Sequence, residues 1–204
     1  MNAPMTVRRA GSEDRAAVVA AFEVANLDEA VTAWVLEDRS ENIYLDSSYA
    51  QDRVDTALRE DEVWVAGVGQ EIWAISVWQY LTSLRRLEVE VAKARRWAEA
   101  APNSRPLRRI AEASDVLLRT HPREFPHNYL EVIVTVPEHR GQGAGGAVLA
   151  DRLAASSAQG VPAYLEASTE RSARLYTSRG FVRTGTTHPL PDNGPTLIPM
   201  WFRP

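Results

Sequence analysis

The chain of 204 residues contains no cysteine. Disulfide bonds, thiolate metal ligands and a covalent cysteine intermediate are therefore excluded, so any catalysis has to proceed without a thiol from the protein. Histidine is also scarce. The four histidines, His121, His127, His139 and His188, are not spaced as metal ligands, and we predict no metal site from them.

An excess of positive charge and long apolar runs are absent as well. The net charge of -4 argues against a nucleic-acid-binding surface, which needs a clustered basic excess. No stretch approaches the roughly 20 apolar residues of a membrane span, and the N-terminus lacks the apolar core of a signal peptide. We therefore expect one domain over residues 1–204, a cytoplasmic location, and neither a nucleic-acid nor a membrane partner.

Glycine, in contrast, is concentrated in one short stretch. Four glycines at 141, 143, 145 and 146 follow an apolar strand and Pro137, and they precede an amphipathic helix. Glycine lets backbone N–H groups come close to a ligand, and the start of a helix adds a partial positive charge. The pattern predicts a turn that binds phosphate.

Three other kinds of glycine turn have to be compared with it. A P-loop ends in Gly-Lys-Ser or Gly-Lys-Thr, and this turn has no lysine. In the Rossmann fingerprint the first glycine follows the strand directly, whereas here residues 137–140 intervene and too little chain follows to complete a doubly wound sheet. A turn that only joins strand to helix is disfavoured, because four glycines in six residues cost backbone entropy.

Hydrophobic periodicity and turn residues predict the order of the elements. The chain begins with a strand over 6–10 and three helices, the first following Ser12, the second over 28–38 and the third starting at Ser48. A hairpin follows over 62–67 and 71–78, then helices over 83–100 and 105–119. After the glycine turn we expect a helix to 158, a strand over 163–167, a helix over 170–179, and strands over 181–187 and 196–203.

Arg140, Gly143 and Gly145 fill the fixed positions of an R-x-x-G-x-G pattern. The segment resembles the acetyl-CoA signature of the GNAT acetyltransferase superfamily, which follows the fourth strand. Residues 165–168, Leu175-Tyr176 and Gly180-Phe181 are similar to the strand, the tyrosine-bearing helix and the G-F turn of that family. Two distant motifs in the right order are far more specific than either one alone.

The layout resembles most closely the puromycin N-acetyltransferase branch, in residues 63–66, the helical region before the central strand, and residues 160–166. The resemblance implies an α+β GNAT fold, with a mixed, mostly antiparallel sheet of six to seven strands flanked by helices. In that fold the fourth and fifth strands splay apart. Residues 1–127 would form the substrate side with extra helices, and residues 128–204 the cofactor-binding core and C-terminal strands.

The cofactor implied by the resemblance is acetyl-CoA. Main-chain groups of Val134, Thr135 and Val136 would bind its pantetheine arm. Backbone amides of the turn would bind its pyrophosphate, from Arg140, Gly141, Gln142, Gly143, Ala144 and Gly145. Two positions depart from the family pattern: Ser172 stands where many members carry asparagine, and Thr135 stands where an aliphatic residue is usual.

Tyr176 is the best catalytic candidate from the sequence. Attack of an amine on a thioester expels a thiolate, and a phenol within hydrogen-bond reach can protonate it. The amine must be neutral to attack, so a base has to take its proton. Glu131 matches the position of the usual family glutamate, and Glu166 on the next strand is its rival.

The leading hypothesis is an enzyme that acetylates a primary amine of a small molecule, such as an antibiotic or an amino-acid-like metabolite. A protein or peptide N-acetyltransferase and an acyl-CoA-binding sensor without turnover are the alternatives. A closed pocket, roofed by the loop carrying Tyr44 and by the 83–120 helices, would favour the small molecule. The sequence leaves the acceptor, the acyl chain length and the oligomeric state open, a homodimer included.

Overall fold

The computed structural model describes residues 4–37 and 47–204. Within them the chain forms seven α-helices and eight strands. The helices are α1 (Arg15–Ala25), α2 (Ala30–Val35), α3 (Ser47–Glu60), α4 (Arg85–Ala100), α5 (Arg105–Thr120), α6 (Ala144–Gln159) and α7 (Glu170–Thr177). The strands are β1 (Met5–Arg9), β2 (Glu62–Val68), β3 (Glu71–Leu81), β4 (His127–Thr135), β5 (Ala163–Ala167), β6 (Val182–Arg183), β7 (His188–Pro189) and β8 (Thr196–Phe202).

The strands form one sheet in the order β1-β2-β3-β4-β5-β8-β6, and the short β7 pairs with β8 off this path. All pairs are antiparallel except β4 with β5. The predicted mixed, mostly antiparallel sheet flanked by helices is confirmed. The two-residue β7 brings the described strands to eight, one more than the upper figure expected.

The parallel strands β4 and β5 diverge along their length. Only Asn128 with Ala163 and Tyr129 with Tyr164 are paired, and both pairs lie at the start of the strands. Beyond them β4 continues to Thr135 and β5 to Ala167 without pairing to each other. This confirms the expected splay, and it leaves a cleft between the two strands.

Apolar side chains bury both faces of the sheet. On one face, α1 and α3 cover β2, β3 and β4 with residues such as Val18, Phe22 and Val54. On the other face, Leu149 of α6 and the α7 side chains pack on β4, β5 and β8. Burying large aliphatic side chains stabilises the fold by about 1.5–3 kcal/mol each. The cleft therefore lies between two well-packed helical layers.

Local chemistry sets where the helices begin. The first amides of a helix have no carbonyl of the same helix to bond, and a side-chain acceptor satisfies them. Glu29 accepts from the amides of Val31 and Thr32 at 2.9 and 3.0 Å, so α2 begins two residues later than predicted from the sequence. Ser104 caps α5 in the same way by accepting from Leu107.

The segment after α1 and the C-terminal strands differ from the sequence prediction. Helix α2 ends at Val35, three residues before the predicted end. The strand expected over 181–187 is limited to Val182–Arg183, because Gly185 adopts a left-handed φ of 69° that turns the chain away from β8. The chain then returns to β8 as β7.

Two predictions from the sequence lie outside the described residues: the position of the Tyr44 loop and the cap formed by the Ser48 side chain. Among the described helices, none has both the length and the apolarity to cross a membrane.

Candidate active site

The glycine turn joins β4 to α6 just beyond the open end of the cleft. Gly141 and Gly143 have left-handed φ angles of 77° and 89°, which only glycine adopts without strain. A Cβ atom added at either position would meet nothing within 4 Å, so open space lies beside the turn. The amides of Gly141 and Gly143 and the positive end of the 16-residue α6 make this space suitable for a phosphate group.

Neighbouring side chains hold the turn in place. The guanidinium of Arg140 pairs with Asp28 at 2.5 and 2.7 Å, and its Nε donates to the carbonyl of Thr135 at 3.1 Å. Thr135 Oγ1 would lie 3.0 Å from a Cβ at Gly145, so only glycine leaves room for that hydroxyl. Arg140 therefore uses its side chain for structure. Its backbone amide donates to the Pro137 carbonyl at 3.3 Å, and the Gln142 amide donates to the His139 carbonyl at 3.4 Å, so these two of the amides predicted to bind the pyrophosphate already have partners.

Hydrogen bonding along β4 determines which main-chain groups face the cleft. In an antiparallel ladder, the backbone N–H and C=O groups of successive residues point alternately toward and away from the neighbouring strand. The Val136 amide donates to Trp73 of β3 at 2.8 Å, and its carbonyl accepts from His139 at 2.9 Å. Val134, two residues earlier, also faces β3. The geometry therefore favours Ile133 and Thr135 over Val134 and Val136 as main-chain partners of a ligand in the cleft.

Tyr176 lies on α7 and is only 9% exposed. Its ring packs edge-on against Phe181 at a centroid distance of 5.9 Å. Burial, and then the charge of Glu29, raise the pKa of the Tyr176 hydroxyl above its usual value, so it keeps its proton at neutral pH. Within the part of the chain that the structure describes, no side chain hydrogen bonds to this hydroxyl, which is therefore available as a donor.

Ser172 is used differently from the expected cofactor contact. Thr169 and Ser172 form a reciprocal cap at the start of α7, with the Thr169 hydroxyl accepting from the Ser172 amide at 3.0 Å. The Ser172 hydroxyl donates back to the Thr169 carbonyl at 2.9 Å. A bond from Ser172 to a cofactor would have to replace this contact.

Glu131 sits at an irregularity in β4. The register with β3 jumps from Val132 to Leu130, so Glu131 is an extra residue in a β-bulge. The bulge places its side chain on the same face as Val132, toward α3, where Arg53 forms an ion pair with it. The Glu131 carboxylate is 15% exposed.

The bulge forms part of the wall of a cavity of about 660 Å³ between the sheet and helices α1 to α5. Most of the wall is apolar, and its apolar side chains include Phe22, Val31, Leu87, Trp97 and Ile110. Tyr129 and Glu131 of β4 form one end. This volume and lining are typical of pockets that enclose a small organic molecule.

A second carboxylate, Glu90 of α4, lies at the same end of the cavity. Gln79 bridges the two acids, because its amide donates to Glu90 at 3.0 Å and to Glu131 at 3.4 Å. Burial, and then the nearby charge of Glu131, raise the pKa of Glu90 to about 7, although Arg53 and Arg86 oppose this shift.

Glu166 lies in a separate, buried group. Its side chain is 2% exposed and is absent from the described wall of the cavity. Burial raises the pKa of Glu166 to about 7, and the hydroxyls of Tyr129 and Tyr164 act against the shift by hydrogen bonding. His121 approaches the carboxyl at 3.9 Å, and His127 contacts His121 at 3.0 Å. Tyr129 separates this group from the cavity.

Three residues of this site were missed from the sequence. Without the pairing of β4, the sequence could not show that the main-chain groups of Ile133, and not those of Val134, face the cleft. Nothing in the sequence connects Arg53 with Glu131. The sequence did contain a signal for Glu90, because it lies on the buried stripe of α4 between Leu87 and Ala94, where a carboxylate is unusual. His121, His127 and Glu166 form no metal-binding group, and no other such group occurs within residues 4–37 and 47–204.

A sheet split between its fourth and fifth strands, with a glycine turn suited to phosphate after the fourth strand, is the arrangement expected of an acyltransferase. The family model described as "Acetyltransferase (GNAT) family" matches residues 78–181, just over half of the chain. The chain therefore belongs to the GNAT family of acetyltransferases and is an acyltransferase enzyme.

Solved structures agree with this fold along almost the whole chain. A histone acetyltransferase HPA2 and related acetyltransferase from Corynebacterium glutamicum is 23% identical, with 100% of this chain and 97% of that chain covered at a TM-score of 0.70. An agmatine N-acetyltransferase mutant is 16% identical, with 98% and 99% covered at 0.66. A mosquito arylalkylamine N-acetyltransferase like 5b is 14% identical, with 98% and 100% covered at 0.66. None of these likenesses singles out the puromycin branch.

The family generally uses acetyl-CoA as acetyl donor. The residues present fit that group in two respects: the space beside Gly141 and Gly143 suits a pyrophosphate, and the unpaired edge of β4 suits the amide-containing pantetheine arm.

Proposed function

We propose that the protein transfers an acetyl group from acetyl-CoA to the primary amine of a small molecule with an apolar body. The observation that carries this proposal is the 660 Å³ cavity, which has apolar walls and ends in carboxylates at the β4 bulge. An apolar wall stabilises an apolar substrate body, and a carboxylate attracts an ammonium group. Some fold relatives are named for small-molecule amines, agmatine and arylalkylamines, and of these the arylalkylamines have an apolar body.

The proposed division of roles follows the geometry. Backbone amides of Gly141, Gly143 and the first turn of α6 hold the pyrophosphate. Main-chain groups of Ile133 and the amide of Thr135 hold the pantetheine arm in the cleft, since the Thr135 carbonyl accepts from Arg140. When bound, acetyl-CoA supplies a thioester whose carbonyl carbon forms a bond to the amine nitrogen while its bond to sulfur breaks, the nitrogen losing a proton and the sulfur gaining one. Tyr176 donates the proton to the sulfur.

A peptide acceptor fits the described residues less well. A peptide substrate needs a groove through which an extended chain can run in both directions, whereas α4 and α5 form walls of this cavity. The position of α4 and α5 beside the cavity supports a small-molecule acceptor.

Release of free thiol from acetyl-CoA tests the proposal with an amine panel. We expect 2-phenylethylamine and hexylamine to show kcat/KM values at least about tenfold above agmatine, spermidine and a tetrapeptide with a free N-terminus, because only the first two match apolar walls. Preference for the tetrapeptide would support the protein-acetyltransferase alternative. Tight CoA binding without thiol release would support the sensor.

A pair of variants on α4 tests where the amine binds. Ala94 is buried against the cavity, so Ala94→Phe should narrow it and raise the KM for 2-phenylethylamine by about tenfold while the KM for acetyl-CoA stays unchanged. Ala92, exposed on the same helix, provides the control Ala92→Phe. Equal effects of the two variants would contradict the assignment of this cavity to the acceptor.

A further inference from the structure

The acidic end of the cavity contains more carboxylates than cations. Five carboxylates lie at or beside this end, together with four cations. The carboxylates are those of Asp52, Glu60, Asp61, Glu90 and Glu131, and the cations are Arg53, Arg59, Arg86 and Lys93, the last of which pairs with Asp52 at 2.6 Å. One negative charge is therefore uncompensated among the described residues of this cluster. A cavity end of this kind favours one additional cation.

The ion pairs show which carboxylate is left over. Arg53 is committed to Glu131. Arg86 donates twice to Asp61, at 2.9 and 3.3 Å, and its remaining contacts are single ones, to Glu60 at 3.3 Å and Glu90 at 3.1 Å.

Glu60 has a further cation in Arg59, at 3.0 Å. Glu90 has only a share of Arg86 and the neutral amide of Gln79. Its carboxylate lines the cavity and is 21% exposed, so an incoming ligand can reach it.

We propose that Glu90 binds the ammonium group of the acceptor and takes its proton, and so acts as the catalytic base. The inference rests on the proposed function, an acetyl transfer to an amine. Glu131 and Glu166 were the candidates from the sequence. Glu131 is neutralised by Arg53, and Glu166 lies behind Tyr129, outside the wall of the cavity.

The protons balance with this assignment. The bound ammonium gives one proton to Glu90 and becomes a neutral amine with a lone pair. As the nitrogen–carbon bond forms and the carbon–sulfur bond breaks, the nitrogen loses a second proton and Tyr176 gives one to the sulfur. The nitrogen's second proton restores the Tyr176 hydroxyl, and Glu90 returns its own proton to solvent.

The surroundings of Glu90 set the pH at which it can act. Burial, and then the charge of Glu131 on β4, raise its pKa to about 7, while Arg53 of α3, Arg86 of α4 and Gln79 of β3 oppose this. A base with this pKa is protonated below neutrality and free above it. The value of kcat/KM for the amine should therefore rise with pH through about 7.

The test compares Glu90→Gln, Glu90→Asp, Glu131→Gln and the control Glu88→Gln, whose side chain is exposed on the same helix. The probe is 2-phenylethylamine with acetyl-CoA, followed by thiol release between about pH 5 and pH 9. We expect Glu90→Gln to lower kcat/KM about 100-fold or more and to abolish the acidic limb near pH 7. The KM for acetyl-CoA should not change, which also shows that the variant is folded.

The other variants separate Glu90 from its neighbour. Glu90→Asp should keep the acidic limb at reduced activity, because it keeps an ionisable carboxyl. Glu131→Gln should keep the limb but move it to lower pH, since removal of the Glu131 charge lowers the pKa of Glu90. Glu88→Gln should match the wild type.

Two results would overturn the inference, and they differ in scope. An acidic limb that survives in Glu90→Gln and disappears in Glu131→Gln would assign the base to Glu131, with the proposed function intact. Absence of thiol release by the wild-type protein with every amine of the panel would overturn the proposed function together with this inference.

Discussion

At the scale of the residue, the site depends on side chains whose surroundings differ from those of the same residue type on the protein surface. Tyr176 is buried behind the split in the sheet, with a hydroxyl that stays protonated. Glu90 and Glu131 are both carboxylates at one end of the cavity, and their cation partners distinguish them. Identity alone does not assign a role to any of these residues.

Removal of the Tyr176 hydroxyl should slow the chemical step. We expect Tyr176→Phe to lower kcat about 100-fold or more, because a positioned general acid contributes about 10²–10⁴ in rate. The KM for acetyl-CoA should change little, since the ring remains in place. The matched control is Tyr80→Phe, at a tyrosine that is 58% exposed on β3. A kcat within about twofold of the wild type would remove Tyr176 from the mechanism.

At the scale of the element, the turn before α6 and the contact between α2 and α5 have different roles. The turn is proposed to bind the cofactor, and the contact stabilises the wall of the cavity. The turn needs left-handed backbone and empty space at Gly141 and Gly143. The contact between the two helices depends on Arg109, which is fully buried. Its guanidinium stacks on Trp34 at 4.7 Å, bonds to the Trp34 carbonyl and pairs with Glu37 at 2.9 Å.

A side chain at Gly143 should interfere with cofactor binding. We expect Gly143→Val to raise the KM for acetyl-CoA about tenfold or more, because the branched side chain occupies the space beside the amides and strains the left-handed backbone. Gly69 has a similar φ of 62° and equally open surroundings in the β2–β3 turn. Gly69→Val should therefore lose similar stability with an unchanged KM, and a parallel rise in KM would refute the phosphate assignment.

Removal of Arg109 should loosen the wall of the cavity. We expect Arg109→Ala to lower the free energy of unfolding by about 2–4 kcal/mol, because it leaves the buried Trp34 carbonyl unpaired and creates a void. Arg108 is exposed on the same helix, and Arg108→Ala should stay within about 0.5 kcal/mol. Urea unfolding of both variants measures the difference, and similar losses would contradict the role of the buried guanidinium.

At the scale of the whole molecule, buried titratable groups make stability depend on pH. The pKa of Glu166 rises from 4.5 to about 7 on folding, so the folded state holds a proton that the unfolded state releases. This lowers stability as pH rises between about 4.5 and 7. His121 acts in the opposite direction, because burial lowers its pKa to about 3 and stability is lost as pH falls below 6.5.

Glu166→Gln should therefore change the pH profile of unfolding. We expect the free energy of unfolding at pH 8, relative to that at pH 5, to be about 2.5 kcal/mol higher in Glu166→Gln than in the wild type, since one pKa unit corresponds to about 1.4 kcal/mol. Urea unfolding at the two pH values measures it, and the exposed Glu99→Gln serves as control. An unchanged difference between the two pH values would show that Glu166 titrates normally.

The family, the order of most elements and the position of the glycine turn were predictable from the sequence. These features depend on local chemistry: glycine where the backbone is left-handed, a proline that ends the strand, and apolar residues at helical or strand spacing. The tyrosine of α7 was recognisable for the same reason, because its motif is contiguous with the G-F turn that follows it.

Only the tertiary structure decided which groups meet. The pairing of β4 with β3 determines which main-chain groups of β4 face the cleft. The sequence could not show that these belong to Ile133 and Thr135 and not to Val134 and Val136. The placing of Glu90 beside Glu131 depends on how α4 packs over the bulge, 41 positions away along the chain. Long-range packing and shared cations set the charge and pKa of each carboxylate, and neither can be predicted from the spacing of residues in the sequence.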